Sequence, residues 1–340
     1  MTRKTSLPKC NSSCAWSAHE TFLPSSDRGI HAGTLSARAD SPTLRQTFPL
    51  PSAVSTAFTA ISPNGQRVAA ACSDAKIRLW DIVSASLQNT LDLKGERPNI
   101  VRFSPDGALL AAGGSDGTLR VWDSSGALRY DLKLAAEIDA IAFSPDGTRI
   151  AAAPNGLPVE IRELGANKLL ASLPATFSGS ASLAFSRDGR WFASADTDTE
   201  IRIFDARDFT LHARITELLL EPLALIFSPD GSRIIAGGAD GVITLIETNT
   251  GKIVKSLPKQ ADVVFVLRAS PDGKSVAASY FNPDQMSAPG RLLIWDAITG
   301  SLRSTVSTTE GGFDGGDYLH DGTLLLTSSS EKELKIWSIR

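Results

Sequence analysis

Apolar and polar positions alternate in short bursts along most of the chain, and each burst ends in a turn signal. The stretch Ile100 to Asp123, IVRFSPDGALLAAGGSDGTLRVWD, shows the pattern most cleanly. Val101 and Phe103 recur at period two, as a strand between packed layers requires, and Ser104-Pro105-Asp106-Gly107 then stops the run. Proline presets φ at the first corner, aspartate bonds its own backbone, and glycine takes the positive φ that closes the hairpin. The second run, Leu109 to Gly114, is apolar but small, which suits a strand squeezed between neighbouring sheets; Ser115-Asp116-Gly117 turns it. The third runs from Thr118 to Asp123 and ends in Trp122-Asp123.

The same template returns six more times. The glycine of the first turn falls at Gly65, Gly107, Gly147, Gly189, Gly231, Gly273 and Gly322, spaced by 42, 40, 42, 42, 42 and 49 residues. Fifteen residues after each glycine stand Trp80, Trp122, Arg162, Phe204, Ile246 and, in the last copy, Trp337; in the sixth copy Trp295 arrives seven residues late, so one loop carries an insertion. Between copies lie more polar, weakly alternating segments, Ser86 to Leu93, Ala127 to Lys133, Lys168 to Leu173, Thr210 to Ile215, Lys252 to Leu257 and Ser301 to Val306, which read as outer fourth strands. Four strands in a period of about 40 to 45 residues is the signature of a β-propeller blade. The expected fold is all-β: a seven-bladed β-propeller of four-stranded antiparallel blades spanning residues 41–340, preceded by an arm at residues 1–40.

The dipeptides Trp80-Asp81, Trp122-Asp123 and Trp295-Asp296, with the near variants Phe204-Asp205 and Ile246-Glu247, make the chain resemble the WD-repeat family. Arg162-Glu163 and Trp337-Ser338 are degenerate copies, and the family's Gly-His pair is absent from every repeat. All four histidines, His19, His31, His212 and His320, lie elsewhere, so the family's His-to-Asp network cannot form and apolar packing is expected to hold the ring. The seventh copy shows only three strands before Arg340, whereas Thr43 to Phe48 precedes the first copy where a fourth strand belongs. This N-terminal strand should complete the last blade and close the ring, covering an open sheet edge and packing Leu44 and Phe48.

Composition narrows the function classes. With 34 Lys and Arg against 37 Asp and Glu, the chain lacks the basic excess of a nucleic-acid binder, and no apolar run approaches the roughly 18 residues of a membrane span. Residues 1–40 are rich in Ser, Thr, Ala and Pro, without period, and read as a disordered arm; Cys10, Cys14 and His19 lack a fourth ligand in a firm place. A cytoplasmic location is the expectation from the missing signals.

Candidate chemistry has to break the repeat. Asp106, Asp146, Asp188, Asp230, Asp272 and Asp321 obey it, each beside the same turn glycine, as do the tryptophans; these read as turn and core residues. The largest deviation is Tyr280 to Arg291, YFNPDQMSAPGR, inserted between the second and third strands of blade 6, on the rim called here the top. Tyr280, Phe281 and Met286 are the anchors that an exposed loop would offer a partner. Connections on that rim carry Glu96, Glu137, Asp139, Glu217, Glu221, Asp262, Glu310 and Asp314 against Arg97 and Lys259, an acidic face that favours a basic protein or peptide. Arg102, Arg268 and Asp317 share one position on the channel-lining first strands, where an interblade ion pair can form.

No motif calls for a cofactor, a metal or a catalytic residue. The expectation is a noncatalytic interaction scaffold, a monomeric ring working within a complex, as the resemblance implies. The alternative is a propeller enzyme, lactonase-like or a dehydrogenase subunit, with a metal or cofactor over the channel; Glu137, Asp139, Asp262, Asp314 and Asp317 are its raw material.

Overall fold

The computed structural model describes residues 43–52, 54–174, 180–196, 198–218, 221–281, 290–307, 313–329 and 333–339, within a compact unit of Ala39–Arg340. Strands make up seven four-stranded antiparallel sheets, each a blade. In blade 2 the four strands are Pro98–Phe103, Leu109–Gly114, Thr118–Asp123 and Leu128–Lys133, in that spatial order. The first strands of all blades, Thr56–Ile61, Pro98–Phe103, Ile138–Phe143, Ser180–Phe185, Pro222–Phe227, Val263–Ala269 and Phe313–Tyr318, each touch those of their two neighbours and so ring a central channel. Among the described residues no helix is long and apolar enough to cross a membrane.

The first-turn glycine closes every blade for the reason anticipated. All seven have φ between 67° and 83°, the left-handed region that side chains disfavour. Beside it the turn aspartate is consumed locally. Ser104 Oγ donates to Asp106 Oδ1 at 2.5 Å, and the Leu109 amide donates to Ser104 Oγ at 2.9 Å. Ser186 with Asp188, Ser228 with Asp230 and Ser270 with Asp272 repeat the first of these bonds, and Ser62 with Asn64 repeats it in blade 1. These carboxylates hold turns.

Among the described residues, no blade has a core of its own. Seven apolar clusters form, and each joins two adjacent blades: Ile77, Leu79 and Leu91 of blade 1 meet Val101, Leu110 and Trp122 of blade 2, for example. The second strands carry the small residues this requires, such as Ala69, Ala70 and Ala71, all with no exposed surface. Larger side chains there would push neighbouring sheets apart.

Closure occurs as expected. Thr43–Pro49 pairs antiparallel with Glu333–Ile339, and Phe48 inserts between blades 7 and 1, its ring 5.6 Å from that of Trp80. Leu44 does not pack as expected. It is 46% exposed, and stands opposite Trp337 as the exposed Leu87 stands opposite Trp80 and Leu128 opposite Trp122. A bulge at Arg45 explains the difference: four residues apart on a regular strand, Leu44 and Phe48 would share a face, but the extra residue leaves Leu44 in the outer place that leucine takes at the start of most fourth strands and turns Phe48 inward.

Apolar packing between blades holds the ring as expected, and polar bonds are added to it. Buried arginines on third strands supply polar clamps where a His-to-Asp network is absent. Arg78 holds Asp74 through two bonds of 2.9 and 2.6 Å; Arg202 donates to Asp196 Oδ2 at 3.0 Å and to the Pro174 carbonyl at 2.7 Å; Arg120 donates to the Leu93 carbonyl at 3.1 Å. Arg120 and Arg202 thus tie the connection entering a blade to its third strand. Arg does this because its planar fork reaches several acceptors at once and stays charged when buried.

Candidate functional site

Each first strand carries a β-bulge near its top end, and all seven bulges fall on one repeat position. The extra residues are Ala57, Asn99, Asp139, Ala181, Leu223, Phe265 and Asp314. A bulge residue has no ladder partner and its side chain is re-aimed. Here the seven crown the channel mouth. They differ from blade to blade, so the fold supplies a ring of positions and the sequence fills it irregularly.

One sector of that mouth is acidic. Asp139 accepts a 2.8 Å bond from Asn155 Nδ2, and burial, reinforced by the like charge of Glu137, pushes its carboxyl up to about 6. Glu96 lies in the neighbouring connection, also partly exposed. Asp314 takes the bulge of blade 7 in its backbone, and its side chain lies outside the described residues. Of the other predicted acids, Glu310 lies outside the described residues. Asp262 is bound by Arg291, and burial raises the Glu221 carboxyl.

Apolar side chains line the mouth on blades 5, 6 and 1. Phe265 of blade 6 is 42% exposed and stacks on Phe58 of blade 1, with ring centroids 6.5 Å apart and planes 26° from parallel. The two reach each other past the whole of blade 7, whose first strand offers Gly315 and Gly316 at this level. Leu223 continues the surface on blade 5.

The blade 6 insertion springs from the same rim. Its second strand, Ser275–Phe281, and third, Arg291–Asp296, pair up to Tyr280 and Arg291, and the ion pair of Arg291 with Asp262 fastens the loop's base to the connection from blade 5. Tyr280 is not the exposed anchor expected of it. It is 4% exposed and sits in the cluster joining blades 5 and 6, with Trp295, because it holds the second-strand position, seven residues after the turn glycine, that the buried Cys72 and Asp196 hold in blades 1 and 4, and pairs with Arg291 as they pair with Lys76 and Glu200. Burial pushes its phenol up to about 12. Phe281 ends the strand, its side chain outside the described residues, as Met286 is altogether.

Sequence reasoning missed the bulges, the Phe58–Phe265 pair and the arginine clamps. Only the last left a signal, an arginine thirteen residues after the turn glycine in the first, second and fourth copies. The sequence model for the WD domain, G-beta repeat, matches residues 44–81, 89–123, 167–205 and 212–247. Each match ends on a third strand and begins one blade earlier, on or just before a fourth strand, so the repeat in sequence is offset by one strand from the blade in space. No curated protein matches the chain.

Proposed function

From the premise that the chain is a WD-repeat β-propeller, we propose that it is a noncatalytic scaffold whose top rim docks a protein or peptide. The observation that carries this reading is the crown of bulge residues at the channel mouth, which breaks the repeat in chemistry while obeying it in geometry. Its acidic sector, Asp139 with Glu137 and Glu96, suits a basic side chain. Its apolar sector, Phe265 with Phe58 and Leu223, suits an apolar or aromatic one, and aromatic faces also attract cations. A segment presenting a basic residue a short distance from an apolar anchor satisfies both. The blade 6 insertion, at whose base Arg291 pairs with Asp262, would extend the contact through Phe281 and Met286.

The enzyme alternative draws on fewer free groups than its sequence suggested. Asp262 is paired with Arg291, and Asp317 faces Arg268 at 3.9 Å. The test is affinity capture from source cells with identification by mass spectrometry, using the intact chain, a variant lacking residues 281–289, and the double variant Phe265→Ser with Asp139→Lys. Partners captured by the intact chain and lost by the double variant support docking at the mouth; loss in the loop deletion adds the loop to the surface. Equal capture by all three moves the interface off the top rim.

A further inference from the structure

We propose that the guanidinium groups of Arg102 and Arg268 form a binding site for a small oxyanion inside the central channel. The inference is independent of the docking reading, since it concerns a deeper level of the first strands. Both arginines lie five residues before the turn glycine, in blades 2 and 6, so they enter the channel from nearly opposite sides at one height. The other positions of that ring are Ala60, Ala142, Ala184, Ile226 and Asp317. Four are uncharged, three of them as small as alanine, which leaves space at the axis. The ring carries two positive charges against one negative.

The hydrogen bonds leave donors over. Arg268 is held by its own wall, Nε donating to the Gly316 carbonyl at 2.6 Å and Nη1 to the Leu267 carbonyl at 2.7 Å, with Asp317 Oδ1 3.9 Å from Nε. Among the described residues, Arg102 donates only once, from Nη1 to the Val101 carbonyl at 3.0 Å. A guanidinium has five N–H donors in a fixed fork, so most of those on Arg102 and the remainder on Arg268 face the channel. Burial, and then the charge of Arg268, push Arg102 down to about 10, with Asp317 opposing. The repulsion between the two arginines is therefore felt inside the wall. An oxyanion between them would relieve that repulsion and accept from both forks, the geometry in which arginine recognises phosphate and carboxylate. Asp317 competes for the same donors, which makes it the residue that discriminates the reading from a purely structural one.

The experiment is calorimetric titration of the full-length protein with inorganic phosphate, alongside melting curves at each phosphate concentration. The expected result is saturable one-to-one binding that raises the melting temperature. Arg102→Gln and Arg268→Gln should each weaken it by about tenfold or more, the loss of a charge-assisted bond. Asp317→Asn should tighten it, whereas the exposed Lys259→Gln should leave it unchanged. A short phosphoserine peptide distinguishes the source of the ion: tighter binding than phosphate means the group is carried by a partner, and weaker binding means a free ion. If both Arg variants unfold, Asp317→Asn still decides. Phosphate binding that is absent in wild type and in Asp317→Asn, or unchanged by all three substitutions, overturns the proposal.

Discussion

Thr59 Oγ1 and Thr327 Oγ1 lie 2.5 Å apart across the seam where blade 7 meets blade 1, both buried, and Gly315 leaves the room for them. A Cβ on Gly315 would stand 2.5 Å from Thr59 Oγ1 and 2.8 Å from the Thr59 carbonyl oxygen, closer than real Cβ contacts come. The ring is therefore closed twice, by the N-terminal strand at its outer edge and by this hydroxyl pair near its axis. Gly315→Ala should destabilise by about 1–3 kcal/mol through overpacking against backbone. Thr327→Val should lose a similar amount, because it leaves the Thr59 hydroxyl buried and unpaired. Urea unfolding of both variants against wild type measures this, and wild-type stability in Gly315→Ala would show that the seam yields.

The closing strand yields a second prediction with an internal control. Phe48→Ala should cost about 3–5 kcal/mol, as for a buried aromatic, while Leu44→Ala should stay within about 0.5 kcal/mol. Shortening the chain to begin at residue 43 keeps the strand; beginning at residue 51 removes it and should lower the melting temperature and solubility together. Equal melting of the two shortened chains would mean that blade 7 stands without its fourth strand.

The arginine clamps carry a third. Asp196 has no exposed surface and its guanidinium partner Arg202 is nearly as buried. Arg202→Met removes the cation paired with that buried carboxylate, and loss of one partner of a buried pair typically costs about 3–5 kcal/mol. Arg207→Met, which removes an exposed partner of Asp205, should cost little. Chemical denaturation of the two variants side by side checks the contrast.

A fourth concerns pH. The Asp139 carboxyl is pushed up to about 6 in the folded protein, so between roughly pH 4 and pH 6 the native state binds more proton than the unfolded chain. Its contribution to stability is present at low pH and lost as pH rises through that window. Asp139→Asn mimics the neutral acid and can still accept from Asn155, so it should melt higher than wild type at pH 8 and alike at pH 4. An advantage equal at both pH values would mean that Asp139 is not the titrating group.

Much of the architecture was legible because it repeats. A turn that needs glycine at positive φ, preceded by Ser-Pro-Asp, writes the same letters at the same spacing in most blades, and the strand that closes the ring shows as a fourth strand displaced to the other end of the chain. The candidate site was legible only in part. Arg291 and Asp262 were placed on the right rim, and the structure joins them in an ion pair that fastens the loop. Tyr280 was misjudged, because a residue beside an insertion looks like loop until the partner strand shows how far pairing continues.

The sequence by itself determined the number of blades, the four-strand rhythm, the turn chemistry and the closure, since these depend on local φ preferences and period-two patterning that residues carry with them. Tertiary structure decided the rest. Only it brings Phe58 onto Phe265 past a blade of glycines, sets Arg102 opposite Arg268, and turns one unpaired residue per first strand into a crown around the channel. Those relations join residues some 165 to 270 positions apart and depend on how strands curve around a common axis, a geometry that no local pattern records.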